Sequence, residues 1–425
     1  MAYEEIKSFI TTKGNQYFRL SGYAGTGKSY LVGSIILWLS SQIVGLSAYH
    51  EKVKYTLASP TNKAARNLQS ICQSQGIEVE VTTVAKLLGI KPEINEQSGK
   101  QEFNATADGN ISDYDLVFID EFSMLSKKIV EDIWAQTTYT MTKVIFIGDD
   151  AQLPPVGESI SAIVNHPDIK DFAVLKEVVR YEGEIAKVAE EIRANPIYNT
   201  ADYPFKTSED GTVFKLSESD WLTTALGLLK EDIHSARIIA WRNKTVDSYN
   251  RQVRNYLYGA VEDYIIGDIL IAKSPVFRKI KSKPSIIFNT SEEFTVISEK
   301  ILKTVQFLNE DWHYWEVPVG GEFPLIILLP EYEKKREAIL ETIKAKALKE
   351  TDKDKRGKIW RNQFYPLNEA FDSISYAYST TCHKAQGSSI PHVFLDTLDM
   401  RMSSDKQKIL YTGLTRAKQA VYVMM

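Results

Sequence analysis

The sequence predicts an α/β protein in which parallel sheets are flanked by helices, and three observations predict it. Short apolar strands alternate with helical patterns through the first 150 residues, at Lys54–Ala58, Leu116–Ile119 and Val144–Ile147, which is the rhythm of βαβ units. Each of these strands ends in a polar cluster: Ser59-Pro60-Thr61-Asn62, Asp120-Glu121 and Gly148-Asp149-Asp150. Open parallel sheets place their sites at the carboxyl ends of strands, so the three ends agree. Third, residues 22–29 read Gly-Tyr-Ala-Gly-Thr-Gly-Lys-Ser, the G-x-x-x-x-G-K-[ST] pattern, between a strand-like Tyr17–Leu20 and a helix patterned by Leu31, Ile35, Ile36 and Leu39.

That loop is the first element to carry chemistry. Gly22, Gly25 and Gly27 let the backbone turn tightly, so that successive N–H groups, with those of Ala24 and Thr26, cradle phosphate oxygens. The helix that follows adds its positive end. Lys28 reaches the outer phosphates and Ser29 holds Mg²⁺. At the end of the 116–119 strand, Asp120 binds Mg²⁺ through its shell and Glu121 polarises the attacking water. After the 144–147 strand, Gln152 can bond a terminal phosphate or water without adding negative charge beside it.

Composition sets the outer limits. The chain has 425 residues, long enough for two to four domains, and 44% hydrophobic content, enough for real cores. Its 51 basic and 55 acidic residues give a net charge of −4, which argues against a protein that coats nucleic acid electrostatically but not against a narrow basic channel. Two distant cysteines, Cys72 and Cys382, suggest a reducing cytoplasm rather than a disulfide framework. No Cys/His cluster has metal-ligand spacing, so nucleotide-borne Mg²⁺ is the expected metal. The run Ser29–Tyr49 lacks charge, yet Ser34, Ser40, Ser41 and Gln42 interrupt it, and a buried helix plus loop is expected there rather than a membrane span.

Further along, Ile90–Tyr114 breaks into a polar stretch with Pro92, Gly99 and Gly109, read as a protruding hairpin with Phe103 among its few large apolar residues. A second α/β region is read at Arg237–Trp241, Ile374–Ser379, Val393–Asp396 and Val421–Met424. Between these, Ile265–Ala272, Ile286–Phe288, Phe294–Ile297 and Pro324–Leu329 read as strands of a small β-domain. The charged segment Glu331–Arg361 is helical in pattern, a solvated helix or a DNA-facing tower.

The stretch Gly148-Asp149-Asp150-Ala151-Gln152-Leu153-Pro154-Pro155-Val156 resembles motif III of the superfamily 1 helicases. Other motifs of that family appear in order. Ala58–Ala65 resembles motif Ia, Val81–Ala85 the T-x-H element, and Leu175–Arg180 motif IV. Tyr378–Gly387 resembles motif V and Tyr411–Ala417 motif VI. The series spans nearly the whole chain and is most similar to the RecD-like, 5′-to-3′ branch. Two positions depart from it: Ala85 stands where the T-x-H element has histidine, and the adenine-reading glutamine has no counterpart at the family's distance upstream of the loop.

The resemblance implies two RecA-like P-loop domains with an inserted β-hairpin and an inserted SH3-like β-domain bearing a helical extension. Residues 1–80 and 113–172 would form the first RecA-like domain and 81–112 the wedge hairpin. Residues 173–260 and 371–425 would form the second, and 261–370 the SH3-like domain, with its charged insertion at 331–363. It implies ATP with Mg²⁺ as cofactors, Arg180 and Arg416 as arginines donated to the phosphates by the second half, and Gln386 and Gly387 at the nucleotide. Strand contacts fall to Pro60, Thr61, Asn62, Lys63, Thr83, Asn243, Thr380, Thr381 and His383, with Phe103 at the fork. Short hydroxyls and an imidazole suit phosphate and sugar contacts that grip without reading bases, and the same threonines also suit helix capping. The implied partners are single-stranded and forked DNA, with a single-stranded DNA-binding protein or replisome components beside them. A cytoplasmic monomer with no membrane partner is expected. An ATP-driven translocase that displaces proteins without unwinding is the alternative. A GTPase is disfavoured, because Asn243-Lys244-Thr245-Val246 has Val246 where the guanine-reading N-K-x-D pattern needs aspartate.

Overall fold

The computed structural model describes residues 1–41, 53–95, 97–98, 101–106, 108–177, 183–197, 199, 203–259, 263–280 and 283–424. Two units divide the chain, one of Met1–Ile90, Ala105–Tyr249 and Ser379–Met425, the other of Lys91–Asn104 and Asn250–Tyr378.

In chain order the first unit opens with α1 (Ala2–Thr11), β1 (Tyr17–Gly22), α2 (Lys28–Ser41), β2 (Tyr55–Ser59), α3 (Asn62–Ser74), β3 (Val81–Thr83) and α4 (Val84–Leu87). The antiparallel pair β4 (Lys91–Ile94) and β5 (Gln101–Asn104) follows, then β6 (Leu116–Ile119), α5 (Lys127–Thr137), β7 (Lys143–Gly148) and β8 (Asp171–Leu175). All of these strands except β4 and β5, which belong to the second unit, make a front sheet in the order β3-β2-β6-β7-β1-β8, every neighbouring pair parallel. Its side chains alternate between two cores. Phe18, Leu20, Phe118, Ile145 and Ile147 pack with Ile6, Ile35, Ile36 and Leu68 of α1 to α3. Tyr17, Val117, Ile119, Val144 and Phe146 pack with Val84, Leu87, Val130 and Ile133 of α4 and α5. Cover on both faces is why these strands are continuously apolar rather than alternating.

Helix α6 (Glu184–Ala194), β9 (Val213–Leu216), α7 (Glu218–Glu231), β10 (Ala236–Ala240) and α8 (Asn243–Tyr258) lead into the second unit. There the strands are β11 (Ile269–Ala272), β12 (Val276–Ile280), β13 (Lys283–Phe288), β14 (Glu293–Thr295), β15 (Ile301–Phe307), β16 (Glu310–Val317) and β17 (Leu325–Leu328). Helices α9 (Pro330–Lys349), α10 (Lys353–Ile359) and α11 (Tyr365–Asn368) and strand β18 (Ile374–Tyr376) complete it. It is built from small antiparallel sheets, β14-β11-β18, β12-β13 and β15-β16-β17. The charged α9 is not solvated all round. Ile343 and Ala347 on one face join Trp312, Leu328, Trp360 and Phe371 in a core.

The chain re-enters the first unit through β19 (Ser379–Thr381), α12 (Cys382–Ala385), β20 (Ile390–Leu395), α13 (Thr397–Met400), α14 (Lys406–Leu414) and β21 (Ala417–Met424). A rear sheet in the order β19-β10-β20-β21-β9 is again parallel throughout. One face packs Ile185, Val188 and Ile192 of α6 and Ile409, Leu410 and Leu414 of α14. On the other, Trp221 of α7 meets Phe394 and donates its indole N–H to Tyr422 O at 2.9 Å.

Three sequence boundaries move. Ile374–Tyr376, expected in the rear sheet, pairs antiparallel with β11, and the rear strand starts only at Ser379. Val81–Thr83, expected in the hairpin, pairs with β2 (Leu57↔Val81, Ser59↔Thr83), and the paired hairpin strands are Lys91–Ile94 and Gln101–Asn104. Residues 173–175, expected in the second half, are part of β8 on the front sheet. In each case a neighbouring strand supplies the ladder, which local apolarity does not encode.

Candidate nucleotide site and strand-contact surface

Strand β1 ends at Gly22, and the loop to α2 needs its glycines for separate reasons. Gly25 and Gly27 have φ of +80° and +73°, open to glycine at little cost. At Gly22 a Cβ would lie 2.7 Å from Thr26 Oγ1 and 3.0 Å from Leu175 Cβ, so the loop packs too closely on β8 for a side chain. The loop wraps a cavity of about 250 Å³ lined by Ala24, Gly25, Thr26, Gly27, Lys28, Ser29, Tyr30, Ile71, Asp120, Glu121, Gln152 and Arg416. Lys28 Nζ donates to Gly22 O and Tyr23 O, 2.9 Å each, which keeps the ammonium over the loop.

Asp120 follows β6, and its Oδ1 accepts the Glu121 N–H at 2.9 Å. Glu121 itself is left-handed (φ 56°, ψ 47°). A non-glycine residue there costs about 1–2 kcal/mol, and such strain persists where the surroundings over-determine it, commonly at functional sites. Gln152 is 4% exposed and its Oε1 has no hydrogen-bond partner, so a buried acceptor lies unsatisfied on the cavity wall.

Arg416 comes from the rear half, immediately before β21, and is 3% exposed. Its Nε donates to Thr412 O at 3.0 Å and its Nη2 to Thr415 Oγ1 at 3.1 Å, which aims the guanidinium from behind. The two halves join around Leu153. Its N–H donates to Thr412 Oγ1 at 3.0 Å, and its carbonyl accepts from Gln386 Nε2 at 2.8 Å. Gln386 and Gly387, expected at the nucleotide, are not among the residues lining this cavity; they hold the halves together. The peptide after Gln386 meets α3 instead, where Asn67 Nδ2 donates to Gly387 O. Arg180 lies outside the described residues.

Residues expected to contact a strand sit at equivalent places in both halves. Thr61 caps α3 by accepting from Ala64 N at 3.2 Å, and Thr83 caps α4 by accepting from Lys86 N at 3.2 Å. In the rear half Thr381 caps α12 and accepts from Lys384 N at 3.4 Å. Thr83 pairs with Ser59, and Thr381 with Ala240, so the caps stand at matching carboxyl ends of the two sheets. Capping uses an acceptor lone pair and leaves each hydroxyl proton for a phosphate oxygen, so the two roles are compatible. Pro60, Asn62 and Lys63 adjoin Thr61, and Thr380 Oγ1 is buried without a hydrogen-bond partner. Burial lowers the pKa of His383, with Asp405 partly opposing the shift, so the imidazole is held toward neutrality. Asn243 opens α8 three residues after β10 ends, exposed, and is not among the residues lining the nucleotide cavity. Phe103 pairs through its backbone with Pro92; its side chain lies outside the described residues.

Sequence reading missed Asp149, Tyr411 and Arg193. Asp149 is wholly buried and accepts from Tyr411 Oη at 2.6 Å and from Arg193 Nη1. A doubled acid after a strand was the available signal for Asp149, and Tyr411 opens the stretch that resembles motif VI; nothing local marks Arg193.

A phosphate loop with its own sheet's acids, completed by an arginine from a second parallel sheet, defines a two-lobed P-loop nucleotide hydrolase. Residues 4–203 match the AAA domain family model and residues 376–424 the UvrD-like helicase C-terminal domain. The ATP-dependent DNA helicase dda of Enterobacteria phage T4 is 26% identical over 95% of this chain and 93% of that protein. The chain belongs to superfamily 1 of the helicases, related to Dda and RecD, and is an ATP-hydrolysing enzyme of that superfamily. An uncharacterised protein of Acanthamoeba polyphaga mimivirus is 25% identical over 99% of this chain and 98% of its own length. The RecBCD subunit RecD of Buchnera aphidicola (Schizaphis graminum) is 24% identical over 99% and 72%. The Pif1 helicase of Candida albicans shares the fold at a TM-score of 0.50 and 15% identity, covering all of this chain and 93% of that one. A Pif1 structure from a study of forked-DNA unwinding does so at 0.51 and 14%, over 99% and 92%.

Proposed function

We propose that the chain is an ATP-dependent DNA helicase that moves along one strand and separates the duplex ahead of it. The observation that carries this reading is Arg416, a rear-half cation buried in the wall of a front-half phosphate cavity. A guanidinium there stabilises charge developing on the transferred phosphoryl group, and withdrawing it stops hydrolysis, so turnover is tied to the approach of the two lobes.

The residues present fit Mg²⁺-ATP. Gly25 and Gly27 supply the left-handed turns of a phosphate cradle, and Ser29 and Asp120 line the same cavity with hard oxygen donors suited to Mg²⁺. When bound, the metal neutralises charge on the phosphates. Lys28 binds the outer phosphates, Glu121 takes the proton of the attacking water, and Gln152 orients that water or the terminal phosphate. Arg180 would add a second rear-half cation.

Thr61 and Thr83 in the front half, and Thr381 and His383 in the rear, would grip a strand alternately as the cleft closes and opens. Separating a base pair costs on the order of 1.4 kcal/mol in stacking, so a modest stroke per ATP suffices. The hairpin of β4 and β5 serves as the wedge, with Phe103 at the fork, and the small sheets of the second unit as an SH3-like platform. Movement from 5′ to 3′ follows the family resemblance.

Strand displacement on duplexes with either a 5′ or a 3′ overhang, run beside ATPase with and without oligonucleotide, tests the proposal. DNA-stimulated hydrolysis with displacement only from the 5′ overhang is expected. Stimulated hydrolysis without displacement would favour a protein-displacing translocase, and hydrolysis indifferent to DNA would refute the coupling.

A further inference from the structure

Arg193, in the last turn of α6, makes two kinds of contact at once. Its guanidinium forks onto two carboxylates, Nη1 to Asp149 and Nη2 to Asp150. Its Cζ lies 4.2 Å from the centroid of the Tyr23 ring in the phosphate loop, and 5.8 Å from that of Tyr411 in α14. Tyr411 closes the ring of contacts: its hydroxyl donates to Asp149 Oδ2 at 2.6 Å and accepts from the phosphate-loop N–H of Ala24 at 3.2 Å. Asp149 Oδ1 also accepts from Ala151 N at 3.1 Å, inside the turn that presents Gln152. Phosphate loop, Gln152 turn, α6 and α14 therefore meet through one guanidinium, beside a pocket of about 170 Å³ that Tyr23, Arg193 and Tyr411 help to line. Burial disfavours the charge of Arg193, but the Asp149 and Asp150 carboxylates outweigh it and raise its pKa, so the fork stays ionic.

Arg193 is not among the residues lining the nucleotide cavity, and both its tines are taken by carboxylates, so it is not a phosphate ligand here. A bidentate fork stacked on an aromatic face fixes both distance and angle, which a lysine cannot reproduce. We propose that Arg193 is a positioning residue for hydrolysis: its grip on Asp149 and Asp150, registered against Tyr23, sets where Gln152 stands relative to the phosphate loop. The proposal rests on the reading of this cavity as an ATP-hydrolysing site.

The test compares Arg193→Gln, Arg193→Lys and Asp150→Asn in the full chain. ATP turnover is measured with saturating oligo(dT), affinity with a fluorescent non-hydrolysable ATP analogue, and folding by thermal melting. A misplacement of about 1 Å costs roughly 100-fold in rate, so Arg193→Gln should lose about that much kcat while analogue affinity stays within about threefold. Arg193→Lys should recover part of the loss. Asp149 is wholly buried, and Arg193→Gln removes its cationic partner, so this variant could fail to fold. Asp150→Asn then decides alone, because Asp150 is half-buried and only one tine is lost; its kcat should fall about tenfold at unchanged analogue affinity. Folded variants that keep kcat within about twofold, or lose analogue affinity alone, overturn the proposal. Wild-type turnover reads the underlying site separately: no hydrolysis there would refute the site, whereas normal hydrolysis with indifferent variants would refute only the role of Arg193.

Discussion

Replacing Gly387 by alanine tests whether the two halves work as one engine. Gly387 has φ +70°, and a Cβ built there would lie 3.1 Å from Ala64 Cβ at the start of α3. The left-handed backbone costs a non-glycine residue about 1 kcal/mol, and the tight contact adds about 1–2 kcal/mol of overpacking. The clash belongs only to the state in which the 387 turn is seated on α3, where Asn67 also donates to Gly387 O. The contact term alone, about 1–2 kcal/mol, differs between the two states and lowers the seated population relative to the unseated by roughly 5–30-fold. Gly387 does not line the nucleotide cavity, so affinity for an ATP analogue should hold while kcat with saturating DNA falls by about that factor. Asn67→Ala, which removes the hydrogen bond without the clash, should show a smaller loss of the same kind. A folded Gly387→Ala protein with kcat within about threefold of wild type would refute the coupling of that joint to turnover.

Three further outcomes are expected. Lys28→Ala should cut ATP turnover by about 10²–10³-fold with little change in melting temperature, because Lys28 lies in the phosphate loop and is not part of a hydrophobic core; substantial residual turnover would count against the site. Glu121→Gln should bind the ATP analogue normally and hydrolyse ATP about 10²–10⁴-fold more slowly, and normal turnover would reassign the base. Acidification should weaken the fold through its partly buried histidines. Burial lowers the pKa of His166, His383 and His392, so the unfolded chain takes up their protons first; this contribution to stability is present above about pH 6.5 and is lost as the pH falls below it. Burial raises the carboxyls of Glu369 and Asp396, which act in the opposite sense, so the readout is a difference. The drop in melting temperature between pH 7.5 and pH 5.5 should be smaller in His392→Gln than in wild type, and an equal drop would remove His392 from the account.

Much of the site was legible because its parts are local. Gly22–Ser29 must turn within a few residues, Asp120 and Glu121 follow an apolar strand directly, and Gln152 stands in the turn just beyond another, so spacing alone places them near strand ends. The capping role of the threonines was legible too, because a hydroxyl just before a helix can accept from a first-turn N–H. Strand partners were harder to read. Ile374–Tyr376 is as apolar as a rear-sheet strand, but its ladder is with Leu270, Ile271 and Ala272, set by a chain reversal a hundred residues earlier. Strands β15 and β16 escaped notice because β15 is exposed along nearly its whole length and lacks the apolar alternation of a half-buried strand.

By itself the sequence determined the tight glycine turn of residues 22–29 and the strand end at which Asp120 and Glu121 stand, since each depends on backbone geometry within about ten residues. Only the tertiary structure decided that Arg416 enters the front lobe's cavity, that Gln386 and Gly387 join lobes instead of lining it, and that Arg193 forks onto Asp149 and Asp150. Those contacts link positions tens to hundreds of residues apart. A side chain's charge and shape say what it can bind, but which partner comes within about 3 Å depends on how two separately folded sheets pack together.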